Sequence, residues 1–187
     1  MEELDAIGPW EVFSWAAKQE NSGLAVCTIG SGSREITCAK GLRIITDYTL
    51  EDHPKLDIVL VPGGQGTRAI FANGGPEIDW LKKVAPDCTW VTSVCTGALL
   101  LHRAGQLQGK RATTYWAAVD LLRGGGNVEV MDDVRFVRDG NVVTSAGISA
   151  GMDMSLWLLG QLKSPEFARF VQKGIEYFPA PPYTAAA

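Results

Sequence analysis

A single cysteine, Cys95, lies where an apolar segment stops resembling a strand and begins to resemble a helix. The segment, residues 91–101, reads VTSVCTGALLL. Val94 is β-branched and typical of strands, and the small residues 96–98 allow a sharp turn. At a strand-to-helix turn, free N–H groups and the positive helix end lower the pKa of a thiol and favour the nucleophilic thiolate. The pattern predicts a nucleophile elbow at Cys95, whereas an isolated free cysteine more often fills space in a core.

A nucleophilic cysteine needs a partner that accepts and returns its proton, and histidine is the usual partner. His53 lies in the polar loop EDHPK, where a solvated side chain is expected, and His102 follows Cys95 by about two helical turns, too far to touch the sulfur. Asp5 is a lone acid in LDAIGP, just before a predicted helix. An aspartate there is ordinarily a cap, and it is also a candidate general acid/base. Asp153 in AGMDMS is interpreted as a helix-surface acid near the proposed site.

The glycine-rich turn PGGQG follows the continuous apolar run DIVLV. We interpret Gly63 and Gly64 as backbone N–H donors facing the reaction centre, as in an oxyanion hole; the alternative is a plain glycine turn. Gly64, Gly66 and Ala69 also match the dinucleotide pattern G-x-G-x-x-A. Pro62 interrupts the tight turn that this pattern requires, and the next strand does not end in an acid, so no dinucleotide site is predicted.

Composition limits the class of protein. The chain has 187 residues, 46% hydrophobic and 20% charged, with a net charge of −4, which favours one domain spanning residues 1–187. Scattered basic residues argue against nucleic acid or an anionic membrane as partner. There is no apolar run long enough to span a membrane and no signal-peptide pattern, so a cytoplasmic protein is expected. Four cysteines without a CxxC pair and only two histidines make a metal site improbable, and Cys27, Cys38 and Cys88 are interpreted as structural.

Strand-like segments alternate with helical segments along most of the chain, which predicts an α/β fold with a mainly parallel sheet. The helix that contains Val12 is predicted to open at Pro9, residues 24–30 are predicted to be a strand, and NVEV and VRFVRDG are predicted to form a hairpin. Only MEEL precedes the first helical region, so either the strand that normally opens such a fold is missing or the sequence starts late. Ligands bind at the carboxyl ends of parallel strands, where PGGQG, Cys95 and TSAGIS should converge.

Six segments together resemble the ThiJ/PfpI superfamily, a class I glutamine amidotransferase-like group, and more narrowly its isocyanide hydratase branch. They are, in order, DAIGPWEVF, VLVPGGQG, VTSVCTGALLL, GKRATTYWA, VRDGNVVTSAGISAGMDMSLWL and IEYFPAPPY. The resemblance covers nearly the whole chain, and the elbow motif and the proline-rich tail are its most specific parts.

The resemblance implies a flavodoxin-like three-layer sandwich and a homodimer with its active sites near the interface. It implies a lyase that converts small apolar isocyanides to N-substituted formamides without a metal or organic cofactor. Cys95 would be the nucleophile and Asp5 the general acid/base. Thr96 would support that acid/base, and the backbone of Ile148 would border the thiolate.

Three departures from the family pattern shape this interpretation. Protease-like and deglycase-like members carry histidine where this chain has Thr96, which argues against those activities. The branch often reads TTHW where this chain has Tyr115 in TTYW, and the first strand of the family is absent. The alternative function is a ligand- or redox-sensing domain of the transcription-regulator type, which does not turn over a substrate.

Overall fold

The computed structural model describes residues 1–179, so the end of IEYFPAPPY, from residue 180 onward, lies outside the described residues. The helices are α1 (Glu3–Ala17), α2 (Gln65–Asn73), α3 (Pro76–Val84), α4 (Gly97–Arg103), α5 (Val119–Gly124), α6 (Ala150–Leu162) and α7 (Pro165–Gly174). The strands are β1 (Ile29–Gly30), β2 (Glu35–Thr37), β3 (Arg43–Ile45), β4 (Tyr48–Thr49), β5 (Ile58–Val61), β6 (Trp90–Val94), β7 (Lys110–Ala112), β8 (Val128–Val130), β9 (Phe136–Asp139) and β10 (Val142–Ser145). None of the helices in this range is long and apolar enough to cross a membrane.

The central sheet has the strand order β5–β6–β10–β9. Strands β5, β6 and β10 run parallel, and β9 pairs antiparallel with β10 at the edge. The middle strands, with the sequences WVTSV and VVTS, are almost entirely buried because helices cover both of their faces. The predicted α/β class with a mainly parallel sheet is therefore confirmed.

Alternate residues of each central strand point into different helical layers. Val59, Val91 and Val142 pack with α3, α4 and α5 in one core cluster. Val94 and Val143 face the opposite side and pack against Met154 of α6. Helices α1 and α7 in turn pack beside α6 in a third cluster, so the sheet lies between two helical layers.

The first helix begins earlier than the sequence pattern predicts. It starts at Glu3, and Pro9 lies inside it. A proline there has no N–H to donate to the carbonyl of Asp5 four residues earlier, which ordinarily disfavours a helix; packing of α1 on α6 offsets that loss. Asp5 is therefore a residue of the first turn, and the prediction that it precedes the helix as a cap is wrong. Glu2 occupies the N-cap position.

The predicted hairpin between NVEV and VRFVRDG is also wrong. Strand β8 pairs in parallel with β7, whereas β9 forms the hairpin with β10. The turn Asp139–Val142 contains Gly140 at a φ of 62°, a left-handed conformation that glycine adopts without steric cost and that suits a tight hairpin.

The predicted strand at residues 24–30 is much shorter in the structure. Only Ile29 and Gly30 form strand pairs, in parallel with Tyr48 and Thr49 of β4. Within residues 1–179 no strand precedes α1, as the sequence predicts, and β5 pairs only with β6 in the four-stranded sheet. Before Ile29 only the carbonyl of Thr28 contacts β4, through a hydrogen bond from Tyr48 N–H at 3.0 Å, and the ladder does not continue further towards residue 24.

Candidate active site

Cys95 occupies the turn between β6 and α4 and is held in an unusual backbone conformation. Its φ is 58°, a left-handed value that costs a non-glycine residue about 1–3 kcal/mol and that clusters at functional sites. Its N–H lies 3.1 Å from the carbonyl oxygen of Ser145, and its own carbonyl accepts a hydrogen bond from Thr114 Oγ1 at 2.8 Å. These contacts fix the elbow, and the side chain is only 5% exposed.

Asp5 lies beside this cysteine, although the two residues are far apart in the sequence. Its carboxyl group is fully buried, and Oδ2 accepts a hydrogen bond from Gly63 N–H at 3.1 Å. Its second oxygen, Oδ1, has no hydrogen-bond partner among the described residues. Burial raises the pKa of Asp5 from 3.8 to about 6, against the opposing effect of hydrogen bonds from the Cys95 thiol and Gly63.

The thiol of Cys95 is harder to ionise than the elbow position predicts. Burial, followed by the negative charge of Asp5, raises its pKa from 9.0 to about 12. The backbone N–H of Thr96 lowers the pKa but does not compensate. The prediction that the helix end favours a resting thiolate is therefore wrong, because desolvation and a neighbouring carboxylate outweigh it. Near neutral pH the pair consists of a thiol facing a carboxylate.

The turn after β5 connects Asp5 to the elbow. Gly64 N–H donates to Thr96 Oγ1 at 2.9 Å, and Thr67 Oγ1 lies 2.7 Å from the same hydroxyl. The N–H groups of Gly63 and Gly64 therefore bind Asp5 and Thr96, which differs from the predicted pair of free oxyanion donors. Thr96 does not bond to the Asp5 carboxylate; it holds the turn that does, so its contact with Asp5 is indirect.

Gly147, a residue that the sequence reasoning did not single out, forms a wall of the site. A Cβ atom at this position would lie 3.1 Å from Cys95 Sγ and 2.6 Å from Tyr115 Cδ2. The signal that could have revealed it is the glycine within TSAGIS, directly after β10, where a ligand or side chain approaches the backbone closely. Ile148 is the next residue, and the role of its backbone beside a thiolate stays a prediction.

The remaining candidates have partners elsewhere. His102 Nε2 lies 2.8 Å from the carbonyl oxygen of Gly126, so it does not serve Cys95. His53, expected in solvent, accepts a hydrogen bond from Trp80 Nε1 at 2.8 Å. Asp153 pairs with Arg135. Among residues 1–179, no group of three histidine, cysteine or acidic side chains could hold a metal ion.

Comparison with known proteins shows the family of this chain. A model of the DJ-1/PfpI family matches residues 1–161. The chain belongs to the DJ-1/PfpI family. It is 39% identical over 187 residues to an isonitrile hydratase from Pseudomonas putida, a match that covers 100% of this chain and 78% of that protein. It is 30% identical over 134 residues to the HTH-type transcriptional regulator CdhR from Pseudomonas aeruginosa, covering 71% of this chain and 39% of the regulator.

Solved structures of DJ-1/PfpI proteins share the fold. A ThiJ/PfpI family protein from Pseudomonas syringae superposes with a TM-score of 0.88 at 30% identity, over 100% of this chain and 75% of that one. Schizosaccharomyces pombe DJ-1 superposes with a TM-score of 0.75 at 21% identity, over 95% of this chain and 94% of that one.

Alanine at position 63 is expected to disrupt the Asp5 side of this DJ-1/PfpI site. Its Cβ would lie 2.5 Å from the backbone nitrogen of Thr96 and 2.9 Å from Asp5 Oδ2, so the elbow or the carboxylate must shift. Urea unfolding should show a loss of about 2 kcal/mol. Gly66→Ala is the control, because no atom lies within 4 Å of its added Cβ. Equal unfolding midpoints for the two variants would show that position 63 tolerates the methyl group.

Proposed function

We propose that this protein hydrates isocyanides to N-substituted formamides, with Cys95 as nucleophile and Asp5 as proton carrier. The observation that carries the proposal is the buried pair itself, a Cys95 thiol facing an Asp5 carboxylate whose pKa is raised to about 6. A carboxylate with a pKa close to the working pH can both accept and return a proton. The similarity to an isonitrile hydratase along the whole chain supports the same reaction.

The first half of the reaction adds the thiol across the isocyanide carbon. Asp5 takes the proton from the Cys95 sulfur while the sulfur forms a bond to the terminal carbon of R–N≡C. Asp5 then delivers that proton to the same carbon, which produces the thioimidate R–N=CH–S–Cys95 and restores the carboxylate. Because the thiolate exists only during this step, the high resting pKa of Cys95 is compatible with nucleophilic attack.

The second half uses water to release the product. The oxygen of a water molecule bonds to the thioimidate carbon while Asp5 accepts a proton from that water. Asp5 then passes this proton to the nitrogen. The tetrahedral species R–NH–CH(OH)–S–Cys95 then collapses: the hydroxyl proton leaves through Asp5 to the departing sulfur, and R–NH–CHO forms. The atoms balance with one water consumed, and no step requires a metal or an organic cofactor.

The surroundings of the thiol favour a small apolar substrate. Cys95 packs in a cluster with Val94, Val143 and Met154, and the half-buried ring of Tyr115 packs against that cluster. A neutral isocyanide substituent fits such a lining better than a charged one, because burying an unpaired charge is costly. We further propose a homodimer, with no nucleic-acid or membrane partner; the cytoplasmic location stays a prediction.

Incubation of the purified protein with cyclohexyl isocyanide tests the proposal. N-cyclohexylformamide, measured by NMR, should accumulate in proportion to enzyme concentration and over many turnovers. Intact-mass spectrometry of a rapidly quenched reaction should show a protein adduct with the mass of the isocyanide, located at Cys95 by peptide mapping. Formamide formation no faster than in buffer would overturn the proposal.

The similarity to CdhR favours one alternative, a sensing domain without turnover. A redox sensor would need Cys95 to be oxidised readily, whereas a thiol with a pKa near 12 is a poor target, since oxidation follows thiolate character. Mild peroxide followed by mass spectrometry distinguishes the two. Sulfinate at Cys95 in a protein that makes no formamide would favour sensing.

A further inference from the structure

The loop between β10 and α6, residues 146–149, decides how much space lies beside the Cys95 sulfur. Its start binds the elbow, because the carbonyl oxygen of Ala146 lies 3.3 Å from Cys95 N–H. Its Gly147 lies so close to Cys95 that an added methyl group would reach 3.1 Å from the sulfur. A small displacement of this loop would therefore change both the room for a substrate and the access of reagents to the thiol.

Arg135 holds this loop at both of its ends. The backbone carbonyl of Arg135 accepts a hydrogen bond from Ala146 N–H at 2.9 Å, at the start of the loop. Its guanidinium donates to Ser149 Oγ at 3.2 Å, at the end of the loop. The same guanidinium donates through Nε to Asp153 Oδ2 at 2.6 Å, in the first turn of α6. One residue thus joins the sheet edge, the loop and the helix that follows.

The acceptor for this guanidinium is itself immobilised. Tyr177 donates a hydrogen bond from its hydroxyl to the other oxygen of Asp153 at 3.0 Å. Tyr177 is held in turn by Gln172 of α7, whose Nε2 donates to its carbonyl oxygen at 3.0 Å. The Asp153 side chain is 25% exposed, against 51% for Arg135. A carboxylate fixed by a second donor orients the planar guanidinium better than a free surface acid does.

We infer that Arg135 is a positioning residue for the active site, which keeps residues 146–149 against the Cys95 sulfur through Ser149 and Asp153. The catalytic effect of Arg135 rests on the proposed function. The position of residues 146–149 beside the thiol is independent of that function. The guanidinium donates to Ser149 and Asp153 and not to Cys95 or Asp5, so its removal takes no hydrogen bond from either of the reacting residues.

The experiment compares Arg135→Gln with Arg138→Gln. Arg138 lies on the edge strand β9, shortly after Arg135 in the chain, and loses the same charge, but its guanidinium contacts the carbonyl of Gly140 and the rings of Trp90 and Trp157. For Arg135→Gln, kcat for cyclohexyl isocyanide should fall about tenfold with little change in KM, because displacement of residues 146–149 misaligns the bound isocyanide carbon and the Cys95 sulfur.

Alkylation of Cys95 by iodoacetamide, followed by peptide mass spectrometry, should become several times faster in Arg135→Gln than in wild type. Arg138→Gln should leave both rates unchanged, and Arg135→Lys should lie between wild type and Arg135→Gln.

Two results would overturn the inference. One is an alkylation rate of Cys95 that is the same in Arg135→Gln, Arg138→Gln and wild type. The other is a change in Arg135→Gln that scales with a lowered urea midpoint, which would make the residue merely structural. If the wild-type protein hydrates no isocyanide, the proposed function fails, and the alkylation comparison still decides whether Arg135 positions the loop.

Discussion

Serine in place of Cys95 is expected to reduce kcat for isocyanide hydration by about 10⁴-fold or more, the size of loss seen when a catalytic nucleophile is removed. The sulfur of Cys95 is polarisable and, even with a pKa of about 12, can lose its proton to Asp5 during attack. A serine hydroxyl at the same buried position is a weaker acid and a poorer nucleophile. No covalent thioimidate can form on it.

Formamide production at saturating isocyanide measures this loss, with circular dichroism to confirm that the variant is folded. The matched control is Cys88→Ser. Cys88 is also a buried free cysteine, and its sulfur contacts the carbonyl oxygens of Leu56 and Val84, to which a hydroxyl can also donate. Cys88→Ser should retain wild-type kcat. A Cys95→Ser protein that hydrates the isocyanide as fast as wild type would exclude covalent catalysis at this site.

The Asp5→Asn variant should lose activity and gain stability at the same time. Asparagine keeps an oxygen for Gly63 N–H but cannot carry a proton, so kcat/KM should fall about 10³-fold, within the range for loss of a general acid/base. The raised pKa of Asp5 means that the folded state disfavours its charge. Each pKa unit corresponds to about 1.4 kcal/mol, so ionised Asp5 destabilises the fold by about 3 kcal/mol.

The sign of this effect follows from proton binding. Between the unfolded pKa of 3.8 and the folded pKa of about 6, the native state holds the Asp5 proton and the unfolded state has lost it. The stability of wild type therefore falls as pH rises through this interval and stays lower above it. The advantage of Asp5→Asn in urea unfolding should be small at pH 4 and reach about 3 kcal/mol at pH 7.

Alkylation kinetics provide an independent readout for the same variant. The negative charge of Asp5 raises the pKa of Cys95, so its removal should increase the thiolate fraction and speed iodoacetamide modification, although hydration slows. The wild-type kcat/KM should also rise with pH through about 6, where half of the Asp5 side chains are ionised, and level off about one pH unit higher, where the carboxylate form is almost fully populated. An Asp5→Asn protein that is no more stable at pH 7 than wild type would contradict the free-energy cost given above for burying the ionised Asp5 carboxylate.

Much of the architecture follows from local pattern. The apolar runs of β5, β6 and β10 separated by helical segments predict a mainly parallel sheet, because period and β-branching depend on neighbouring residues alone. The errors arise where a tertiary contact overrides a local preference. Pro9 is accommodated inside α1 by packing on α6, and β8 pairs with β7 rather than with β9 because strand pairing depends on the whole sheet.

The features of the site also fall into those that local sequence predicts and those that depend on tertiary contacts. Residue type and turn pattern suffice to nominate Cys95, since it lies between a strand-like segment and a helical one and is followed by the small residues 96–98, which allow a sharp turn. The protonation of that cysteine was decided by the tertiary structure, which buries the thiol and brings the Asp5 carboxylate beside it. The amides of Gly63 and Gly64 likewise found partners that spacing does not specify. Desolvation and charge proximity are properties of contacts between distant segments, and for that reason only the folded chain reveals a thiol and a carboxylate where local pattern predicts a thiolate.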